Sequence, residues 1–241
     1  LRKEDFRFIT GKGQYTDDIN RQDQAYAYFL RSPHAHANIK KLDVSAAKKA
    51  PGVLDVLTGD DLAADKIGGL ICGWMIHNKD GSPMKAGAHP ALAQGKVRYV
   101  GDHVAVVIAD TYAQAKDAAE KIVVDYQVLP AVVDMNKAKG SAAIHDVAPD
   151  NVVYDWHLGD KAATDAAFAK AKHVTKIDVV NNRLIPNAME PRAAIGDFDS
   201  GTGVYTLYTT SQNPHVARLV LSAFVGIAPE HKLRVIAPDV G

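Results

Sequence analysis

The stretch that most restricts the fold runs from residue 97 to 130: VRYVGDHVAVVIADTYAQAKDAAEKIVVDYQVLP. Residues 97–100 and 103–109 read as two strands about a Gly101-Asp102 turn. Thr111 is placed to cap a helix over 112–122, with alanines at 113, 115, 118 and 119. A strand over 123–128 follows and is closed by Leu129-Pro130. A strand, a helix of about a dozen residues and a second strand suit a parallel crossover unit. Upstream, residues 25–30, 38–44 and 53–58 also read as strands. Ser45 is the expected N-cap of a short helix that stops at Pro51-Gly52, and Gly59-Asp60-Asp61-Leu62 is expected to turn the chain. Residues 21–133 are therefore expected to form one α+β module, preceded by an extended lead-in over 1–20.

Residues 63–95 are irregular and rich in Gly, Asp, Lys and Pro. So long a connection is uncommon in a compact domain, and this one is expected to wrap over something. A connector over 134–158 leads to a second unit. Gly159-Asp160 opens a helix reaching residue 171. Strands are expected over 174–183, 192–199 and 204–210, then a helix over 214–225 and a strand over 233–237. Asp199-Ser200-Gly201-Thr202-Gly203 is the tight turn between two of these strands.

Composition removes several function classes. Lys plus Arg and Asp plus Glu both number 28, so the net charge is zero. That balance argues against a nucleic-acid or anionic-membrane partner reached by bulk electrostatics. No apolar run approaches the length of a membrane span. The one cysteine, Cys72, allows no internal disulfide, no four-cysteine iron–sulfur cluster and no CxxC zinc site. The charged N-terminal stretch has no apolar core of the secretory kind, so a cytoplasmic location is expected. The chain starts at Leu1 and stops at Gly241 directly after an expected strand, which reads as a fragment.

The chemistry-bearing candidates are few. In TTSQNPHVAR (209–218) a strand runs into a helix. Asn213 suits an N-cap and Pro214 the first helical position, which explains both as structure. Neither role explains Gln212. A glutamine at the end of a strand is held firmly while its amide reaches past the sheet, where α/β folds favour ligands. His34 and His36 lie two apart, but Pro33 bends the chain and no third metal ligand is marked, so polar packing is the simpler reading. Glu190, before Pro191, must be extended and is open to a buried pairing with Arg192. Gly11-Lys12-Gly13 and Gly68-Gly69 lack phosphate-loop spacing. The residues by themselves indicate a two-module chain with one candidate contact residue, and no reaction.

Several segments, in order, resemble the large, molybdopterin-binding subunit of the xanthine dehydrogenase, aldehyde oxidase and carbon monoxide dehydrogenase family. They are RKEDFRFITGKGQYTDD (2–18), RSPHAHA (31–37), VRYVGDHVAVV (97–107), AMEPRA (188–193), TSQNPH (210–215) and RVIAPDVG (234–241). The resemblance implies an α/β hammerhead domain over 21–133 and the beginning of a molybdenum-cofactor-binding domain over 159–241, with the lead-in packed beside the latter. It implies a molybdopterin-type cofactor that carries the metal, so the metal takes no protein ligand. Gln212 matches the family's glutamine that contacts an oxygen ligand of molybdenum, and Gly241 the first glycine of a loop that approaches the cofactor. The family's catalytic residues lie beyond position 241. The activity implied is hydroxylation of an aldehyde or N-heterocycle, or oxidation of carbon monoxide, with the fragment inactive alone. Iron–sulfur clusters and FAD are implied on partner chains, in a dimer of heterotrimers. Two other readings remain: a non-catalytic hammerhead assembly or binding module, and a hydrolase using Ser211 with His215, which lacks a positioned acid.

Overall fold

A computed structural model describes residues 2–241. Its elements run α1 (Asp5–Ile9), β1 (Tyr26–Arg31), β2 (Ala37–Asp43), α2 (Ser45–Lys48), β3 (Val53–Thr58), α3 (Gly59–Ala64), β4 (Lys96–Val97), β5 (His103–Ala109), α4 (Tyr112–Ala119), β6 (Val123–Val128), α5 (Lys161–Lys170), β7 (Ala194–Asp199), β8 (Val204–Thr209), α6 (Pro214–Val220) and β9 (Leu233–Ile236). A π-helical turn, Leu221–Val225, extends α6.

β5 is the centre of the first unit. It carries neither Gly nor Pro and is rich in valine and isoleucine, so it suits a strand flanked on both sides. β1 and β3 pair with it, both antiparallel. Ala105, Val107 and Ala109 point to one face, where Ala115, Ala118 and Ala119 of α4 meet them, all with 1% or less of their surface exposed. Alanines spaced three and four apart make one stripe along α4, and their small size lets the helix lie close to the sheet. Val104 points to the opposite face and packs with Ala37, Ala93 and Val97. Leu30, Leu42 and Val124 touch both clusters and join them.

The expected parallel crossover over β5, α4 and β6 does not form. β6 belongs to a second antiparallel sheet of order β4-β2-β6, so α4 carries the chain from one sheet to the other. Local periodicity specifies strand, helix, strand. It does not specify the partner of each strand, and β6 finds β2. Two smaller corrections concern helix starts. Val44, not Ser45, is the cap position of α2, and Ser45 donates its N–H and hydroxyl to Asp43 Oδ1 at 3.0 and 2.6 Å. Residues 59–62 open a helix rather than a turn, because Thr58 and Asp61 form a reciprocal capping box.

The second unit is a three-stranded sheet, β7-β8-β9. β7 and β8 are antiparallel about the Asp199 turn, where Asp199 Oδ1 accepts from Gly201 N at 2.9 Å. β8 and β9 are parallel and connected through α6. The parallel crossover is thus in this unit and not in the first. The strand expected over 174–183 is absent: residues 171–193 form neither helix nor strand. A strand exists only with a ladder partner, and these residues have none among the described residues.

The irregular segment 65–95 joins the units. Gly68 N donates to Val225 O at 2.7 Å at the end of the π-turn. A Cβ on Gly68 would come within 2.4 Å of Phe224 O, which explains a glycine there without any phosphate. Lys79 N and Lys85 N donate to Asp155 O and Val153 O, so the segment wraps against the connector, as expected of so long a loop. The lead-in crosses to the second unit as well. Arg21 reaches Asp197 of β7 at 2.6 Å and lies over the Tyr208 ring.

Candidate functional site

The parallel pairing of β8 and β9 decides where the candidate residues meet. In a parallel pair both carboxyl ends emerge at the same sheet edge, the favoured ligand position in open α/β sheets. Gln212 follows β8 and Gly241 follows β9, so both sit at that edge. Asn213 caps α6, its Oδ1 accepting from Val216 N at 3.3 Å, with Pro214 at the first helical position. Ser211 Oγ accepts from Asn213 N at 3.1 Å. Ser211 and Asn213 are therefore spent on the turn, whereas the Gln212 amide is exposed and carries no part of it.

Glu190 ties the edge together, which the sequence did not reveal. Its Oε1 accepts from the Thr210 hydroxyl at 3.0 Å and its Oε2 from Gly241 N at 2.6 Å. The carboxylate is thus committed to Thr210 and Gly241, and the expected pairing with Arg192 is replaced by these two bonds. Arg192 is exposed. The one legible signal was Pro191, which holds Glu190 extended. Its partners lie 20 and 51 residues away and leave no local pattern.

A second clasp fixes the approach to Gly241. Arg7 forms a two-toothed ion pair with Asp239, with Nη2 to Oδ1 at 2.6 Å. Gln14 N donates to Asp239 Oδ2 at 2.8 Å, and Asp239 N to Gln14 O at 3.0 Å. The Arg7 and Gln14 bonds hold the Asp239 carboxyl below the usual carboxylate range. A depressed acid contributes stability above its unfolded pKa of about 3.9, and that contribution is lost as pH falls through the lower folded value. Protection of the Gln14 amide from hydrogen exchange is therefore expected to hold from pH 7 down to the unfolded value of about 3.9, and to be lost below it as pH falls through the lower folded value. Asp239→Asn is expected to lower that protection at every pH.

The histidines go elsewhere. His36 is buried, its Nδ1 donating to Pro130 O at 2.9 Å, while His34 meets the Tyr126 ring edge-on. The pair shares no site. Among the described residues, no group of three or more His, Cys, Asp or Glu is placed to hold a metal ion. A concavity of about 370 Å³ lies under the 70–90 segment, lined by His89, Arg98, Tyr99, Asp102 and His145. Burial, then Arg98, holds His145 below the ordinary imidazole value. None of the strand-end residues lines this concavity. Among the described residues no helix is long and apolar enough to cross a membrane.

Two antiparallel sheets bridged by a helix, followed by a three-stranded sheet with a parallel strand pair, define a two-part α+β chain. Residues 10–130 match the family model of the aldehyde oxidase and xanthine dehydrogenase a/b hammerhead domain. Residues 144–241 match that of the molybdopterin cofactor-binding domain. The chain belongs to the aldehyde oxidase and xanthine dehydrogenase family. It is 39% identical over 255 residues to the carbon monoxide dehydrogenase large chain of Afipia carboxidovorans, covering 100% of this chain and 30% of that one. It is 35% identical over 243 residues to the nicotine 6-hydroxylase large subunit of Paenarthrobacter nicotinovorans, covering 100% and 29%. The crystal structure of quinoline 2-oxidoreductase from Pseudomonas putida 86 superposes with a TM-score of 0.89 at 36% identity, over 100% of this chain and 30% of that chain. The chain thus spans about 30% of the length of the relatives it matches.

Proposed function

We propose that this chain is the amino-terminal part of a molybdenum hydroxylase large subunit, with Gln212 as a contact to the molybdopterin-type cofactor. Residues 21–133 serve as the hammerhead and 159–241 as the opening of the cofactor domain, strapped by residues 1–20. The observation that carries the reading is the exposed Gln212 amide at the shared carboxyl edge of β8 and β9, inside the residues that match a cofactor-binding domain. The donor set suits such a group. An amide offers both a donor and an acceptor without changing charge, and the flanking polar side chains are already engaged.

When bound, the cofactor supplies two-electron oxidation chemistry that protein side chains lack. The chain's own residues hold and orient. β8 and the Asn213 cap fix the backbone on either side of Gln212, so the point from which its amide reaches out is set before a ligand arrives. Asp239 and Glu190 fix the approach to Gly241, which supports its place beside the cofactor. The whole subunit would oxidise carbon monoxide, an N-heterocycle or an aldehyde, small molecules of the kind named for its relatives. It would pass electrons to iron–sulfur and FAD-bearing partner chains, within a dimer of heterotrimers in the cytoplasm.

The test is Gln212→Ala in the full-length subunit assembled with its partners. The expected result is a loss of about tenfold to a hundredfold in activity or in molybdenum affinity, with an unchanged melting temperature. A full-length protein purified without molybdenum from cofactor-replete cells would favour the non-catalytic assembly module instead.

A further inference from the structure

The carboxylate of Glu190 is part-buried at the ligand edge, and each of its two oxygens holds a different loop. Oε1 takes the hydroxyl of Thr210, two residues before Gln212. Oε2 takes the backbone N–H of Gly241, at the end of the segment that leaves β9. Pro191 keeps the Glu190 backbone extended. Glycine at 241 is a condition of the arrangement, because a Cβ there would lie 2.6 Å from Glu190 Cβ. Two separate stretches of chain therefore converge on one charged acceptor carried by a third. Bonds to an ionised acceptor are about twice as strong as bonds between neutral groups.

We propose that Glu190 is a positioning residue: it locks the Gly241 backbone to the Thr210–Gln212 junction and so sets the spacing of the two strand-end loops that hold the cofactor. The proposal rests on the cofactor reading above and assigns a role to a side chain whose two oxygens are both engaged within the protein. The Gly241 amide is spent inside the protein. What Gly241 offers outward is a fixed direction for the chain that follows it in the full-length subunit.

Glu190→Gln isolates the claim, because the amide is isosteric. By rotating, the amide can still accept from the N–H of Gly241 and donate to the Thr210 hydroxyl, but both bonds lose the charge that strengthens them. The full-length subunit in its complex is the material. Three readouts apply: the rate of molybdenum loss on dialysis, the electron paramagnetic resonance spectrum of the molybdenum centre, and hydrogen exchange at Gly241. Glu190→Gln is expected to speed molybdenum loss about tenfold, shift the spectrum and raise exchange at Gly241, with β5 amides unaffected. Thr210→Val removes only one arm and is expected to move the same readouts less. The double variant should then fall short of the sum of the singles, as groups in one network do. If Glu190→Gln folds poorly, Thr210→Val alone still decides the matter, since an unchanged spectrum and unchanged Gly241 exchange would overturn the proposal. A molybdenum-replete Glu190→Gln protein with wild-type retention and spectrum also overturns it. Absence of molybdenum from the wild-type protein sinks the cofactor reading instead, and exchange at Gly241 then decides whether Glu190 braces the edge at all.

Discussion

Val107→Asp is expected to abolish the cooperative unfolding of the first unit. Val107 is fully buried in β5, with Tyr28 of β1 on one side and Val56 of β3 on the other. Its neighbours across the sheet face are alanines of α4, which offer no hydrogen bond. A carboxylate at this position loses its hydration and finds no partner, a loss on the order of 5 kcal/mol. That is comparable with the whole stability of a domain of this size. Val107→Ala makes the useful control. It leaves a cavity and no charge, and is expected to destabilise by about 2 kcal/mol, because only two methyl groups are lost. Urea unfolding followed by circular dichroism separates the cases: a shifted midpoint for Ala, and no transition for Asp. A folded Val107→Asp variant with wild-type midpoint would mean that β5 is not the centre of the core.

Residues 171–193 of the isolated 241-residue chain are expected to bind a hydrophobic dye and to drive self-association. Ile177, Val179 and Ile185 are 77%, 81% and 88% exposed, in a run with no ladder partner. Contiguous apolar surface of this kind marks a face that something covers, and an unpaired extended run is a template for another chain. α5 adds to the picture, since none of its residues is buried. The second unit has little core of its own, with Val225, Ala228 and Leu233 as its buried apolar residues. Amides of 171–193 are expected to exchange about a thousandfold faster than those of β5. The pair Ile177→Lys and Ile185→Lys is expected to act with opposite signs. It should keep the 241-residue chain monomeric by size-exclusion chromatography, and impair folding of the full-length subunit. A wild-type chain that stays monomeric and dye-free at high concentration would contradict the assignment of this face as a covered one.

The sequence determined most of the local structure by short-range physics. β3, β5 and β6 have the ends that alternation and the Gly-Asp and Leu-Pro punctuation indicate. Thr111 caps α4 through its bond from Gln114 N, and Asn213 with Pro214 starts α6, since a cap depends only on residues within one turn. The motifs were also enough to reach the family, because each is a run of adjacent residues. Strand partnership was decided elsewhere. β6 alternates equally well beside β5 or β2, but β1 and β3 occupy both edges of β5, and α4 carries the chain to the second sheet, where β6 pairs with β2. Residues 174–183 have a strand's composition and no strand, because a ladder needs a neighbour that composition does not supply. The site shows the same division. Gln212 stood out as a polar residue at a strand end, a local anomaly. Glu190 with Thr210 and Gly241, and Arg7 with Asp239, join residues 20, 51 and 232 positions apart. Their geometry exists only once parallel β8 and β9 bring both carboxyl ends to one edge.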